Sequence, residues 1–336
     1  MKRRLINKIL VASAIGFIFS LNLTLTQDCS EGYAYYDELP ETATIIMGDS
    51  GILDSCLSNI DLSALNDIMI ENNLGCPTLG DLNGDVAYNV LDIVGLANCV
   101  LGNNCDDLDN SCSGDVNSDG SYNVLDIVGL VNCVLANNCE DFINGPINLG
   151  NQTWKNGRLM GLVASYVPNG TGGVNSQLTL LPESFGNLNE LAFLYLEWNS
   201  LTNLPNSFSQ LTNLVSLTVN NNWLTSLPED FGNINQLYFL DLGYNQISSI
   251  PESICQLVSL QYLYLFNNQL DSIPECICEL NIDWSGFDGG NFPYFGIGGN
   301  LLCDDIPECI ENSNNFELTL DQFYYSIPLE APQDCP

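Results

Sequence analysis

The sequence predicts a multidomain protein: a small α-helical module followed by an α/β solenoid whose parallel strands line a concave face. Two observations carry this expectation. Residues 80–105 recur as residues 114–139 with 20 identities in 26 positions. From residue 181 the chain repeats every 23 residues, a period that signals stacked coils. At 336 residues and 46% hydrophobic content, the chain can bury more than one core.

Residues 1–26 join a basic start to an apolar run from Ile9 to Phe19 and then to small polar residues, with cleavage expected near Thr26. This is the pattern of a secretory signal peptide. The run falls short of the roughly 20 apolar residues that span a bilayer. The chain is therefore expected to be secreted, extracellular or at the cell surface, with no membrane insertion after cleavage. Cleavage leaves Lys155 and Arg158 as the only strong bases against 41 acids, a net charge of 2 − 41 = −39. Such a surface repels nucleic acid and attracts divalent cations and basic partners.

All 14 cysteines follow the signal segment, which favours a disulfide framework. With no histidine and no paired C-x-x-C sets, zinc is disfavoured. Ser-His-Asp and Cys-His catalysis are equally unavailable, leaving carboxylate chemistry alone. In the N-terminal segment, residues 27–75, the stretch DLSALNDIMIENN (61–73) has apolar residues at helical spacing behind a capping Asp61 and predicts a short amphipathic helix.

The duplicated stretch opens with GDVNSDGSYNVLDIVGL (114–130), an acidic loop before an apolar helix. Its spacing offers oxygens from Asp115, Asn117, Asp119, Asn123 and Asp126, with the carbonyl of Ser121. The first copy offers Asp81, Asn83, Asp85, Asn89 and Asp92, with the carbonyl of Ala87. Ca²⁺ takes six to eight oxygens, and this pattern supplies six. The competing reading is an Asx-rich turn that caps a helix. Duplication of loop and helix together favours calcium. Over residues 76–140 the pair resembles the type I dockerin repeat, two F-hand calcium loops each followed by one helix. That resemblance implies Ca²⁺ as cofactor and a cohesin-like protein as partner. It also implies an alternative role as an accessory of a cohesin-docked, polysaccharide-degrading complex.

Two departures from the dockerin pattern matter. Val86 stands where the first loop bends, and Gly120 where the second does. A β-branched residue at positive φ costs about 1–2 kcal/mol, so the first site is expected to be the weaker. The positions that read a cohesin are apolar here, Val90 with Leu91 and Val124 with Leu125, and the basic residues that often follow are missing. These apolar pairs either form a docking surface or pack the two helices on each other.

In the solenoid, Leu181-Pro182, Leu204-Pro205, Leu227-Pro228, Ile250-Pro251 and Ile273-Pro274 mark the period. Between them runs LxxLxLxxNxL, as in LAFLYLEWNSL (191–201) and LYFLDLGYNQI (237–247). This resembles the extracellular leucine-rich repeat family. It implies an asparagine ladder of Asn199, Asn222, Asn245 and Asn268, and a domain over residues 181–336 ending in a C-terminal cap. Residues 147–180 fit the template poorly and are expected to form the N-terminal cap. An insertion around Asp283–Pro293 is expected to bulge from the last coil.

Side chains alternate along a strand, so those between the leucines face the concave surface. They are Phe193, Tyr195, Glu197, Trp198, Ser216, Thr218, Asn220, Asn221, Phe239, Asp241, Tyr244, Tyr262, Tyr264, Phe266, Asn267 and Tyr294. Such an aromatic surface is expected to be exposed and to bind a protein or a glycan. Glu197 and Asp241 are its candidate acids, two coils apart on an open face, so a non-enzymatic binding role is expected. Equivalent positions in adjacent coils suggest bridges Cys255–Cys278 and Cys276–Cys309, with Cys303–Cys335 closing the C-terminal cap.

Overall fold

The computed structural model describes residues 29, 33–35, 43–46, 56–72, 74, 80–83, 88–105, 111–114, 116, 122–136, 149–167, 173–174, 176–290, 292–323 and 327–335. The expected signal segment lies outside these residues. Strand β1 (Tyr33–Tyr35), strand β2 (Ala43–Ile46) and strand β3 (Cys56–Ser58) precede helix α1 (Asn59–Glu71). Helices α2 (Val90–Gly102) and α3 (Val124–Ala136) follow, then the hairpin β4 (Asn151–Lys155) and β5 (Arg158–Val163).

The first of these pieces complete the solenoid. β2 runs parallel to β4, and the β4–β5 hairpin opens the long sheet. Ser58 caps α1 by accepting from the Asp61 N–H, and Leu62, Leu65, Ile68 and Met69 bury into the solenoid core. At the other end of α1 the Asn72 amide donates to the Leu180 carbonyl and accepts from the Thr179 and Leu180 N–H groups. The duplicated module is thus inserted between two parts of one cap.

Arg158 locks that cap. Its Nε donates to Asp61 Oδ2 at 2.8 Å, one Nη to Oδ1 at 3.0 Å, and the same Nη reaches Asn189 of the first coil. The Asp61 carboxyl is fully buried and also accepts from the Leu159 N–H. The guanidinium is held above its ordinary pKa, first by the hydrogen bonds it donates to Asp61.

Each coil then adds one short parallel strand: β6 (Phe193–Tyr195), β7 (Ser216–Thr218), β8 (Phe239–Asp241), β9 (Tyr262–Tyr264) and β10 (Phe295–Gly296). The register stacks Leu162, Leu194, Leu217, Leu240, Leu263 and Phe295 into one buried column. On the far side, short 3₁₀ turns, the first two started by Pro182 and Pro205 and the third by Asp230, carry Phe185, Phe208 and Phe231, stacked at 5.8 and 6.2 Å. Asn199, Asn222, Asn245, Asn268 and Asn300 form the ladder between the layers, each amide bridging its own coil and the preceding one. Helix α4 (Glu308–Glu311) and an antiparallel pair, β11 (Leu318–Leu320) and β12 (Pro328–Glu330), end the chain.

The bridges correct two expected pairings. Cys255 joins Cys276, and Cys278 joins Cys309, with Cα separations of 5.8 and 5.6 Å; neither Cys255–Cys278 nor Cys276–Cys309 forms. Side chains at equivalent positions of stacked coils project in parallel rather than toward each other. Moving two residues along a 3₁₀ turn rotates the side chain toward the neighbouring coil. Cys276 therefore faces back to Cys255 while Cys278 faces on to Cys309. Cys303 pairs with Cys335, Cys29 with Cys56 and Cys99 with Cys105.

Candidate functional site

The strands place two columns of side chains on the concave face: Phe193, Ser216, Phe239, Tyr262 in one, and Tyr195, Thr218, Asp241, Tyr264, Gly296 in the other. The face is not the open surface that alternation predicts. Thr218, Asp241, Tyr264 and Phe266 are buried, while Tyr195, Glu197, Trp198, Phe239, Tyr244 and Tyr262 are half-buried and Phe193 is exposed. The cause is the chain's own end. Leu320 of β11 packs on Tyr264 and Phe266, with Phe239, Tyr244 and Tyr262 around it.

Glycines admit that segment. Gly298 donates to the Leu318 carbonyl and Gly299 to that of Ala331. A Cβ on Gly298 would meet the backbones of Glu317 and Ala331 at 2.6 Å, so only glycine permits this approach. Further anchors are Tyr244 Oη donating to the Leu320 carbonyl at 2.7 Å and the Gln322 amide donating to Asn221. Gly298→Val is expected to displace the segment and cost about 1–3 kcal/mol, as overpacking does. Limited proteolysis should then cut within residues 318–330 while the coils stay intact; unchanged resistance would refute the account.

Between this segment, the coils and the insertion lies a cavity of about 580 Å³ that opens to solvent. Glu197, Asp241 and Asp288 line it together with Trp198, Phe239, Tyr262, Phe292 and Phe323. Asp241 is 1% exposed and accepts from the Asn220 amide at 2.7 Å and the Gly243 N–H at 2.9 Å. Glu197 accepts from the Ser165 hydroxyl. Asp288 accepts from the N–H groups of Phe292 and Gly290 and from Tyr262 Oη. Those backbone donors, Phe292 first, hold its carboxyl below the usual range. Burial pushes the Tyr262 and Tyr264 hydroxyls well above the ordinary phenol pKa, so both stay neutral.

The two candidate acids, expected two coils apart on an open face, therefore share one partly enclosed cavity. The sequence pattern missed Asp288, Phe292 and Phe323 because they lie outside the repeat. Trp198 carries a further signal. It sits at φ +61° in the position before the ladder asparagine, where Asn221, Tyr244, Asn267 and Gly299 are also left-handed. A bulky residue there stores about 1–2 kcal/mol, and its ring stacks on Phe323 at 5.7 Å.

In the duplicated module, α2 and α3 pack through Leu96 and Leu130, with Leu82 and Val116 from the loops. Gly80 lies against Leu130 and Gly114 against Leu96, so each loop begins on the other copy's helix. Of the expected metal ligands, Asp81, Asp92 and Asp126 are buried, Asn89 and Asn123 half-buried, and Asn83 exposed. Asp92 accepts from the N–H groups of Leu82, Asn83 and Asn89, while Asn89 accepts from Leu91, a capping box. Asp126 accepts from Asn123, and Asn123 from Leu125. Asp85, Ala87, Asp115, Asn117, Asp119 and Ser121, with the bends at Val86 and Gly120, lie outside the described residues. The apolar pairs do not pack the helices together: Val90, Leu91, Val124 and Leu125 are each about 60% exposed.

Residues 212–270 match the family model for the leucine rich repeat. Three solved structures are similar. A leucine-rich repeat protein of Leptospira interrogans is 31% identical over 42% of this chain and 39% of its own, with a TM-score of 0.34. The ectodomain of the receptor kinase SOBIR1 of Arabidopsis thaliana is 26% identical over 43% of this chain and 70% of its own, at 0.34. A complex of BIR3 with SERK2, also from Arabidopsis thaliana, is 25% identical over 46% of this chain and 74% of the other, at 0.32. This chain thus spans about two fifths of the Leptospira protein. No curated protein matches it.

Proposed function

We propose that this is a secreted, non-enzymatic adaptor that uses the concave face of its leucine-rich solenoid to hold a protein partner and its duplicated module to dock, in the presence of Ca²⁺, onto a second protein. Leucine-rich repeats commonly bind proteins, and the matched repeat covers the central coils that line the cavity. The bridges fit a chain that matures in an oxidising compartment. Among the described residues no helix is long and apolar enough to cross a membrane.

The observation that carries the docking half is the exposure of the same apolar pair at the same place in both copies. Val90 with Leu91 and Val124 with Leu125 begin their helices, beside the loops that would hold the ion. A cohesin-like surface is the partner this arrangement suits. The donor set suits calcium: in this proposal Asp81, Asn83, Asn89 and Asp92 in the first copy and Asn123 and Asp126 in the second contribute with the remaining loop oxygens. Asp92 and Asp126 accept backbone N–H groups, and a cation would add a counter-charge beside these buried carboxylates. Of the two bases beyond residue 26, Arg158 is engaged with Asp61 and Lys155 is exposed on the hairpin. Bound calcium would tie each loop to the first turn of the helix that follows it.

The test is affinity capture by the whole secreted chain, with Ca²⁺ or with chelator. The docking partner is expected only with Ca²⁺, and Leu91→Asp with Leu125→Asp should lower its recovery at least tenfold, about 1.4 kcal/mol. A partner held by the solenoid should survive chelation. Recovery of every partner regardless of chelator and of both substitutions would defeat the docking role. Residues 141–336 alone are unsuited to this test, since they lack α1 and its half of the cap.

A further inference from the structure

We infer that the duplicated module carries two opposed self-association faces, and that the occupant of each is the same helix of a second copy of this chain. The inference goes beyond the docking role and requires neither calcium nor a docking partner.

The faces lie on helices α2 and α3, each of which is apolar on two sides. One side, Leu96 with Cys99 and Leu130 with Cys133, is buried in the core that the helices share. On the other side Val90, Val94, Ala97 and Leu101 recur at steps of four, three and four residues, as do Val124, Val128, Val131 and Leu135. Alternating steps of three and four set side chains in one line along a helix, the seam by which one helix packs on another. Leu101 and Leu135, at 85% and 80%, are the two most exposed large apolar side chains among the described residues. An ordinary surface helix keeps polar residues on that side.

Charge selects the occupant. Beyond residue 26 the chain sets 41 acids against Lys155 and Arg158, a balance that repels a second copy over most of its surface and attracts basic partners. Helices α2 and α3 hold one charged residue each, Asp92 and Asp126, and both are fully buried. A face built for a basic partner would display acids, and these seams display none. They are where two acidic chains can meet without setting like charges against each other. Asn98 and Asn132, the exposed polar residues beside the seams, fit a symmetric contact, since each amide both donates and accepts.

Direction sets the stoichiometry. At about 100° per residue the seam lies across each helix from its buried side, and the two buried sides meet in one core. The seams therefore face away from each other, and one chain can engage two neighbours. Each seam offers on the order of a few hundred Å² of apolar surface. Two paired seams fall below the roughly 1,200 Å² of stable interfaces, so a single contact is weak and reversible.

Sedimentation velocity of the whole secreted chain at constant Ca²⁺ tests this. Over about a hundredfold range of concentration the weight-average mass should rise from monomer past dimer. It should rise further when NaCl is added, because screening removes the repulsion between acidic chains and leaves the apolar contact intact. Val94→Ser with Leu101→Ser should stop growth at the dimer, as should Val128→Ser with Leu135→Ser, and the four together should leave a monomer. All four side chains are exposed, so circular dichroism should match the parent; the salt series on the parent chain needs no variant at all. A chain that stays monomeric at every concentration and salt overturns the inference. So does association that weakens with salt, which is charge-driven, or association that survives all four substitutions, which uses another surface. Leu91 and Leu125 are untouched, so loss of docking through them and loss of self-association through the seams are read separately.

Discussion

Replacing Arg158 with methionine is expected to destabilise the protein by up to about 3–5 kcal/mol, because it leaves the fully buried Asp61 carboxylate without its partner, Arg158 itself being a quarter exposed. Asp61 would keep the Leu159 N–H and its place in the first turn of α1, but it would lose both prongs of the guanidinium in a site closed to water. A surface pair of the same geometry would be worth under about 1 kcal/mol. Burial of the carboxylate makes the difference. Urea denaturation should show the loss in the midpoint, and the transition should lead with the N-terminal cap.

One control sharpens the expectation. Arg158→Met with Asp61→Leu should recover most of the loss, because the charge that needed compensation is gone. A single-variant loss below about 1 kcal/mol would show that the cap is held by packing alone.

The structure also shows why some features were legible in the sequence and others were not. The leucine column and the asparagine ladder recur every 23 residues, and a recurring residue announces its role. Helix α1 was visible as a helix, two residues later than observed, but its destination was not. The Arg158–Asp61 contact spans 97 residues and skips the inserted module, and no local pattern encodes such a contact. The covering of the concave face was hidden for a related reason. Strand alternation gives the side of the sheet a residue occupies; it does not say what else lies on that side. Leu318 and Leu320 in a short alternating run, and the bare GIGG of residues 296–299, were the only traces of the segment that buries Tyr264 and Phe266. The cysteine pairing failed on a finer scale, because equivalent positions share a direction while bridges need opposed ones.

Asn245→Leu is expected to cost about 2–4 kcal/mol, although leucine matches asparagine in size and would sit in an apolar layer. The ladder shows where the cost arises. The Val219 carbonyl accepts from both Asn222 and Asn245, and the Leu242 carbonyl from both Asn245 and Asn268. Losing Asn245 leaves each carbonyl with one of its two donors, a modest loss. The Leu224 N–H, however, donates to Asn245 Oδ1 at 3.0 Å and would be orphaned in a dry interior. An orphaned buried donor costs its full desolvation, about 1–3 kcal/mol, and the weakened carbonyls supply the remainder. The damage should also pass along the chain, since each coil is stabilised mainly by its neighbours. Hydrogen exchange should therefore quicken in the coils on both sides of residue 245 and least near the Arg158 cap. Asn245→Asp separates this account from simple packing. Its carboxylate keeps the acceptor for Leu224 but sets a negative charge against the carbonyl oxygens of Val219, Leu242 and Gly243, raising the folded pKa. The variant should lose at least as much stability as the leucine substitution at neutral pH and regain part of it on acidification. If the leucine variant is as stable as the parent, the ladder is a by-product of the repeat rather than one of its supports.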